Sequence, residues 1–325
     1  MSHPLLNNLL SAKIRQSIIG FVLGVLSIAI ISPFLNSGHS IPDKIEFDSE
    51  VIQISKPQEV TEAQKTIDNI STDQIDKNAH LYPFFALHKV ALNDDQVAAI
   101  TQNKPRLSIV LNQAGQTRTM TAAILEKAPQ NITIGLSPYI RNHNEVASQL
   151  QTYGYEVWMD LSVIILNNKT DYGPDALSPV NNFERNVAIL SDQLENKDKL
   201  TGVILPNQSL ITETSSVWED LVYDLFAQGY GILDNTRQIA KPKLFFHNEK
   251  RAPYIKGDRE GSKELSLSDL QSLLEKTRKD TMDQGNMIVT LPISTPAHLD
   301  ILSRWVDSLE QENITLVPLS AQAKL

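Results

Sequence analysis

From residue 104 onward the chain alternates short runs rich in Val, Ile and Leu with longer stretches whose apolar positions recur every three or four residues. Strands and helices have different side-chain periods, so this alternation predicts a parallel sheet with crossover helices, an α/β domain. Strands are expected at residues 106–111, 132–136, 156–159, 202–205, 231–233, 244–246, 287–291 and 314–318. Helices are expected at 117–127, 142–153, 182–194, 215–228, 268–284 and 295–312. Thr295 followed by Pro296 is a helix-opening signal, and Gly285 is a stop. Seven or eight such strands predict a distorted (β/α)7-8 barrel over 104–325. Reactive groups in such a fold stand at the carboxyl ends of the strands.

The N-terminal pattern is different. No Asp, Glu, Lys or Arg occurs from Gln16 to Pro42, and the segment has no polar stripe of the kind a core helix shows. An apolar run of about 18 to 20 residues is long enough to span a hydrocarbon core. Residues 17–35 are therefore expected to be a transmembrane anchor. Lys13 and Arg15 precede it and Asp43, Glu46, Asp48 and Glu50 follow it, which places residues 1–16 in the cytoplasm and the rest of the chain in the periplasm. A cleaved signal peptide is the alternative, but its apolar core is usually about 7 to 15 residues, and Gly38-His39-Ser40 fits its cleavage pattern poorly. Residues 36–103 read as a polar linker. Tyr82, Phe84 and Phe85 are too aromatic for a solvated tether, so this part is expected to dock on the domain, with a partner-binding motif as the other reading.

A net charge of -9 over 325 residues removes nucleic acid as a partner, since such binding relies on Lys and Arg neutralising phosphates. The absence of cysteine excludes disulfides, thiolate nucleophiles and Cys-ligated zinc. There is no G-x-S-x-G elbow, P-loop or glycine-rich dinucleotide turn.

The expected strand ends hold mostly amides. Asn112 and Gln113 follow the first, Asp160 the third, Asn207 and Ser209 the fourth, and Asp234 and Asn235 the fifth. Amides hydrogen-bond hydroxyls well but do not act as bases near neutral pH. Asp160 and Asp234 are the catalytic candidates, as two carboxylates able to divide acid and base work. Asn112, Gln113, Asp160, Asn207, Ser209 and Asp234 are the substrate-binding candidates, with Trp158 or Tyr139 as a stacking face. Asp171 and Asp175 lie in a turn-forming stretch, where turn chemistry is the simpler reading. Only His143, His247 and His298 fall in the domain, none at metal-ligand spacing, so no metal ligand set is expected.

The stretches "PRLSIVLNQAG", "ITIGLSPY", "GYEVWMDLS", "DYGPDAL", "GYGILDN" and "NITLVPLSA" occur in the order and at the spacing of the divergent polysaccharide deacetylase family, and residues 104–321 resemble it. The resemblance implies a distorted barrel of the glycoside hydrolase/deacetylase type. It further implies a divalent metal, held by Asp and His, that activates water to remove acetyl groups from N-acetylated sugars. Against that pattern, the acidic pair falls on Asn112 and Gln113, and the histidine after the third strand falls on Asp160. The histidine motif after the fourth falls near residues 206–209, and the late histidine-proline motif near 291–293. Asp234 alone keeps the family's residue type. The expectation is thus an inner-membrane-anchored, deacetylase-like pseudoenzyme without a cofactor, binding envelope glycan. The alternatives are an envelope-protein interaction module, or a residual deacetylase or hydrolase using Asp160 and Asp234.

Overall fold

A computed structural model describes residues 81–165, 175–207, 209, 211, 215–236, 238 and 240–323. The expected anchor, the linker up to His80, and Asp171 lie outside the described residues. Among the described residues no helix is long and apolar enough to cross a membrane.

The helices are α1 (Pro83–His88), α2 (Asp94–Thr101), α3 (Arg118–Lys127), α4 (His143–Thr152), α5 (Phe183–Leu194), α6 (Ser215–Gln228), α7 (Leu267–Gln284) and α8 (Pro296–Leu309). The strands are β1 (Arg106–Ala114), β2 (Thr133–Leu136), β3 (Glu156–Asp160), β4 (Gly202–Leu205), β5 (Gly231–Asp234), β6 (Phe246–His247), β7 (Lys250–Arg251), β8 (Tyr254–Lys256), β9 (Arg259–Glu260), β10 (Asn286–Pro292) and β11 (Thr315–Leu316). Helix ends follow local chemistry. The Thr117, Asn182 and Ser266 side chains accept from the first-turn backbone of α3, α5 and α7, and Gly285 closes α7 at φ +76°.

The main sheet runs β8-β5-β4-β3-β2-β1-β10-β9, every neighbour parallel, with β11 also paired to β1. Its central strands are almost wholly apolar because helices cover one face and the sheet curls around the other. The two end strands are consecutive in the chain: Tyr254–Lys256 pairs with β5, and Arg259–Glu260 pairs with β10. Gly257 N–H still donates to Asp234 O on one side, and Gly261 N–H to Thr290 O on the other. The result is a curled, barrel-like α/β sheet. The strand expected at 244–246 is instead a 3-10 turn, Pro242–Phe245, leading into the two-residue β6 of a small hairpin. Pro242 cannot donate to a ladder, and the stretch that takes that place in the barrel is 254–260.

The floor is filled from the N-terminal side. Tyr82 and Phe85 are buried. Phe85 lies edge-on to Trp158 with ring centroids 6.4 Å apart, and Phe84 stacks on Tyr230 at 4.8 Å. Trp158 spreads over the paired backbones of Gly202 and Gly231, whose missing side chains make room for it. A Cβ on Gly202 would come within 2.6 Å of the indole and closer still to Gly231 O. Trp158 is fully buried, so it forms core and offers no stacking face.

Candidate functional site

Side chains alternate faces along a strand, so Glu156, Trp158 and Asp160 of β3 share the inner face of the barrel at three depths. Glu156 lies at the floor. Its carboxyl accepts from Trp158 Nε1 at 2.8 Å, Ser320 N at 3.0 Å and Thr133 Oγ1 at 3.3 Å, and burial raises its pKa. Asp160 ends the same column at the mouth, with Oδ1 beside Gly135, where a Cβ would sit 3.1 Å away.

The end of β1 faces Asp160 through a backbone irregularity. Between Leu111 and Ala114 the β1–β2 register shifts, and Gln113 takes φ +58°. That left-handed conformation is uncommon for a residue other than glycine, and here it aims the Gln113 N–H at Asp160 Oδ2, 2.5 Å away. The Gln113 side chain is exposed. Gln113 therefore contributes a backbone donor to the site. Asn112, one residue earlier, is 6% exposed and turns inward, with Nδ2 donating to Glu260 Oε1 at 3.4 Å.

Glu260 was not among the residues singled out from sequence. It sits on β9, opposite Thr290 of β10, and reaches across the mouth to accept from Asn207 N at 2.7 Å. Asn207 also serves through its main chain, while Ser209 is buried and forms an isolated bridge with Ile165. Asn235, 6% exposed, accepts at Oδ1 from Thr290 Oγ1 at 3.3 Å. Two buried amide atoms in this ring have no hydrogen-bond partner: Asn112 Oδ1 and Asn235 Nδ2.

Burial pushes the Asp160 carboxyl up to about 7, with the Glu260 charge adding to the rise and the Gln113 N–H and Lys263 opposing it. Burial likewise pushes Glu260 up to about 7, opposed by the Asn207 N–H and Lys263. Two carboxyls in mutual electrostatic contact, each with one good backbone donor, hold a proton into the neutral range. Lys263 itself is exposed.

Asp234 does not join this pair. Asp160 lies opposite Ile204 in the sheet, whereas Asp234 lies opposite the next residue, Leu205, so the two carboxylates point to opposite faces. Asp234 Oδ1 accepts from Thr236 N at 2.8 Å and Thr236 Oγ1 at 2.7 Å. Its Oδ2 accepts from the Tyr254 hydroxyl at 2.7 Å and Lys256 Nζ at 2.8 Å. With four donors it is a structural anchor between β5 and β8. At the rim, Tyr139 follows β2 and is 49% exposed.

The histidines lie elsewhere. His143 is buried at the start of α4, where burial and Lys197 hold its pKa down at about 4. His247 packs among Tyr82, Tyr223 and Phe226. His298 is held between Thr295 Oγ1 at 2.7 Å and Leu265 O at 2.8 Å, so the Thr295 hydroxyl meets this ring and does not cap the helix backbone. Among the described residues no three His, Cys, Asp or Glu side chains converge as a metal-holding group. Among the described residues the mouth offers two carboxylates and amide oxygens, a set with no imidazole to suit a borderline cation.

Comparison with protein families matches the family described as divergent polysaccharide deacetylase over residues 109–323. Comparison with curated proteins finds no match. Among solved structures, an uncharacterized protein from Agrobacterium tumefaciens C58 is similar with a TM-score of 0.59 at 17% identity, over 71% of this chain and 98% of that one. A putative cellobiose-phosphate cleavage protein from Enterococcus faecalis V583 gives a TM-score of 0.45 at 13% identity, over 68% and 99%.

Proposed function

The chain belongs to the divergent polysaccharide deacetylase family, and from that premise we propose that it is a membrane-anchored, periplasm-facing member that binds envelope glycan in its barrel mouth and has lost the family's metal-dependent deacetylation. The observation that carries this reading is the ring of buried amides with unspent hydrogen-bonding atoms, Asn112 Oδ1 and Asn235 Nδ2, beside two carboxyls. A buried polar atom left unpaired costs about 1 to 3 kcal/mol, and a hydroxyl-rich sugar supplies both the donor and the acceptor that these two atoms lack. Tyr139 at the rim supplies an aromatic face for a sugar ring. The family's Asp and His ligand set does not fit this mouth. By the resemblance its positions fall on Asn112 and Gln113, on Asp160, near residues 206–209 and near 291–293, stretches without a histidine, and the domain's histidines pack elsewhere. The membrane and periplasmic placement rests on the apolar run at 17–35 and the charges flanking it.

The test is binding of the full chain, in detergent micelles, to a fluorescent N-acetylglucosamine hexasaccharide and to sonicated peptidoglycan. Asn112→Leu should weaken binding about 3- to 10-fold, the worth of one or two hydrogen bonds. Unchanged affinity in Asn112→Leu and Asn235→Leu together would remove the reading.

A further inference from the structure

We infer that Asp160 and Glu260 act as a metal-free acid and base pair that cleaves a glycosidic bond of the sugar chain held in the mouth. This rests on the glycan-binding reading and goes beyond it.

The geometry comes first. Asp160 stands on β3 and Glu260 on β9, with β2, β1 and β10 between them along the sheet, so they enter the mouth from different strands of the curl. Each is fixed by a backbone N–H at one oxygen, Gln113 N on Asp160 Oδ2 and Asn207 N on Glu260 Oε2. Asp160 Oδ1 takes no hydrogen bond from a described residue, and Glu260 Oε1 has only the 3.4 Å contact from Asn112 Nδ2. One oxygen of each carboxyl thus remains for a reacting group. The orphaned Asn112 Oδ1 and Asn235 Nδ2 lie beside the carboxyls: Asn112 bonds Glu260 through its amide nitrogen, and Asn235 bonds Thr290, the register partner of Glu260.

Charge then decides which bond is attacked. Deacetylation passes through an oxyanion, which needs a cation or an array of donors to stabilise it. Glycosidic cleavage passes through an oxocarbenium-like state, which bears positive charge. Among the described residues the groups of this mouth are two carboxyls and neutral amides, with the Lys263 charge acting on both carboxyls from an exposed position. A pair sharing one proton carries one negative charge, which favours the oxocarbenium and opposes the oxyanion. Both carboxyls hold protons into the neutral range, so acid and base coexist there.

The step balances with water as the only co-reactant. Asp160 donates its proton to the glycosidic oxygen as the C1–O bond breaks, its electron pair leaving with that oxygen. Water attacks C1 from the other side, forming the new C1–O bond, and Glu260 takes the proton that the water loses. Each fragment ends with a hydroxyl, and the proton now on Glu260 returns to Asp160 by exchange with solvent.

The experiment incubates the full chain in detergent micelles with EDTA, an N-acetylglucosamine hexasaccharide and sonicated peptidoglycan. It measures new reducing ends, free acetate and bound glycan in the same samples. The expected result is reducing ends without acetate, with Asp160→Asn and Glu260→Gln each lowering their release about 100-fold or more while glycan binding stays within a few-fold. Retained binding shows that the near-isosteric variants are folded. Glycan that binds and stays intact, acetate released without reducing ends, or variants as active as the parent would each overturn the pair while leaving glycan binding in place. No binding in the parent would overturn both readings.

Discussion

Replacing Asp234 by Asn tests whether this carboxylate belongs to the mouth or to the scaffold. It is almost fully buried, at 3% side-chain exposure, and receives four hydrogen bonds, one of them from Lys256. An amide keeps the acceptor facing Thr236 but turns an N–H toward the Tyr254 hydroxyl and the Lys256 ammonium, both of which are donors. Breaking a buried ion pair by removing one partner costs about 3 to 5 kcal/mol. Lys256 retains 28% exposure and partial access to water, so the loss falls to the foot of that scale or just below it, about 2 to 3 kcal/mol. Against a typical total stability of about 5 to 15 kcal/mol this is a large loss. Urea unfolding of the full chain, followed by tryptophan fluorescence, should show a lower midpoint with unchanged slope. Adding Lys256→Met should recover part of the loss, because the stranded ammonium is then gone. Glycan binding below the transition should match the parent. A stability loss under about 0.5 kcal/mol together with abolished binding would refute the scaffold role and return Asp234 to the site.

Three further outcomes follow from the same geometry. Phe85→Ala should cost about 3 to 5 kcal/mol in urea unfolding, since it empties the floor beneath Trp158; a cost under 1 kcal/mol would mean that α1 is not part of the core. Gly202→Ala should prevent or severely weaken folding, measured as yield of protease-resistant protein, because its methyl would collide with the Gly231 backbone and the indole. The raised pKa values of Asp160 and Glu260 mean that the native state holds protons which the unfolded chain releases above about pH 4.5. Their contribution is complete below the unfolded values and disappears as pH rises through 7. For this partly solvated pair that loss is on the order of 1 to 2 kcal/mol between pH 5 and 8, and Asp160→Asn with Glu260→Gln should flatten that slope.

The sheet's central strands were legible because parallel strands buried on both faces appear as unbroken apolar runs, as at 202–205 and 287–291. The helix ends at Asn182 and Gly285 were legible because caps are local. The segment 254–260 was not. Its sequence, Tyr-Ile-Lys-Gly-Asp-Arg-Glu, is charged and split by glycine, and it forms strand only because β5 and β10 each pair with half of it. The weakness of the strand expected at 244–246, with Pro242 just before it, was the available signal that another stretch between 233 and 287, the one holding Glu260, fills that place. The direction of Asp234 was not legible either, since a shift of one residue in register exchanges the faces of a strand. Nor was the contribution of Gln113, which depends on a backbone turn at φ +58° and not on the amide that drew attention to it.

The residues at positions 112, 113 and 160 have a joint electrostatic meaning. The family resemblance puts an acidic pair on Asn112 and Gln113 and a histidine on Asp160, so the mouth exchanges two carboxylates for amides and an imidazole for a carboxylate. The exchange removes the imidazole and keeps a single carboxylate on that side, in electrostatic contact with Glu260. Two carboxylates in an apolar barrel end repel each other unless something positive sits between them. In a metal-binding relative a cation would serve; here the described groups that act on the pair are the backbone N–H of Gln113 and of Asn207, the Asn112 amide, the Lys263 charge and a retained proton. A proton balances one of the pair's charges and not two, so the pair itself carries negative charge as pH rises through 7. On the proposed reading that residual charge matters more than the loss of any one ligand, because a negative pair favours an oxocarbenium-like transition state over an oxyanion.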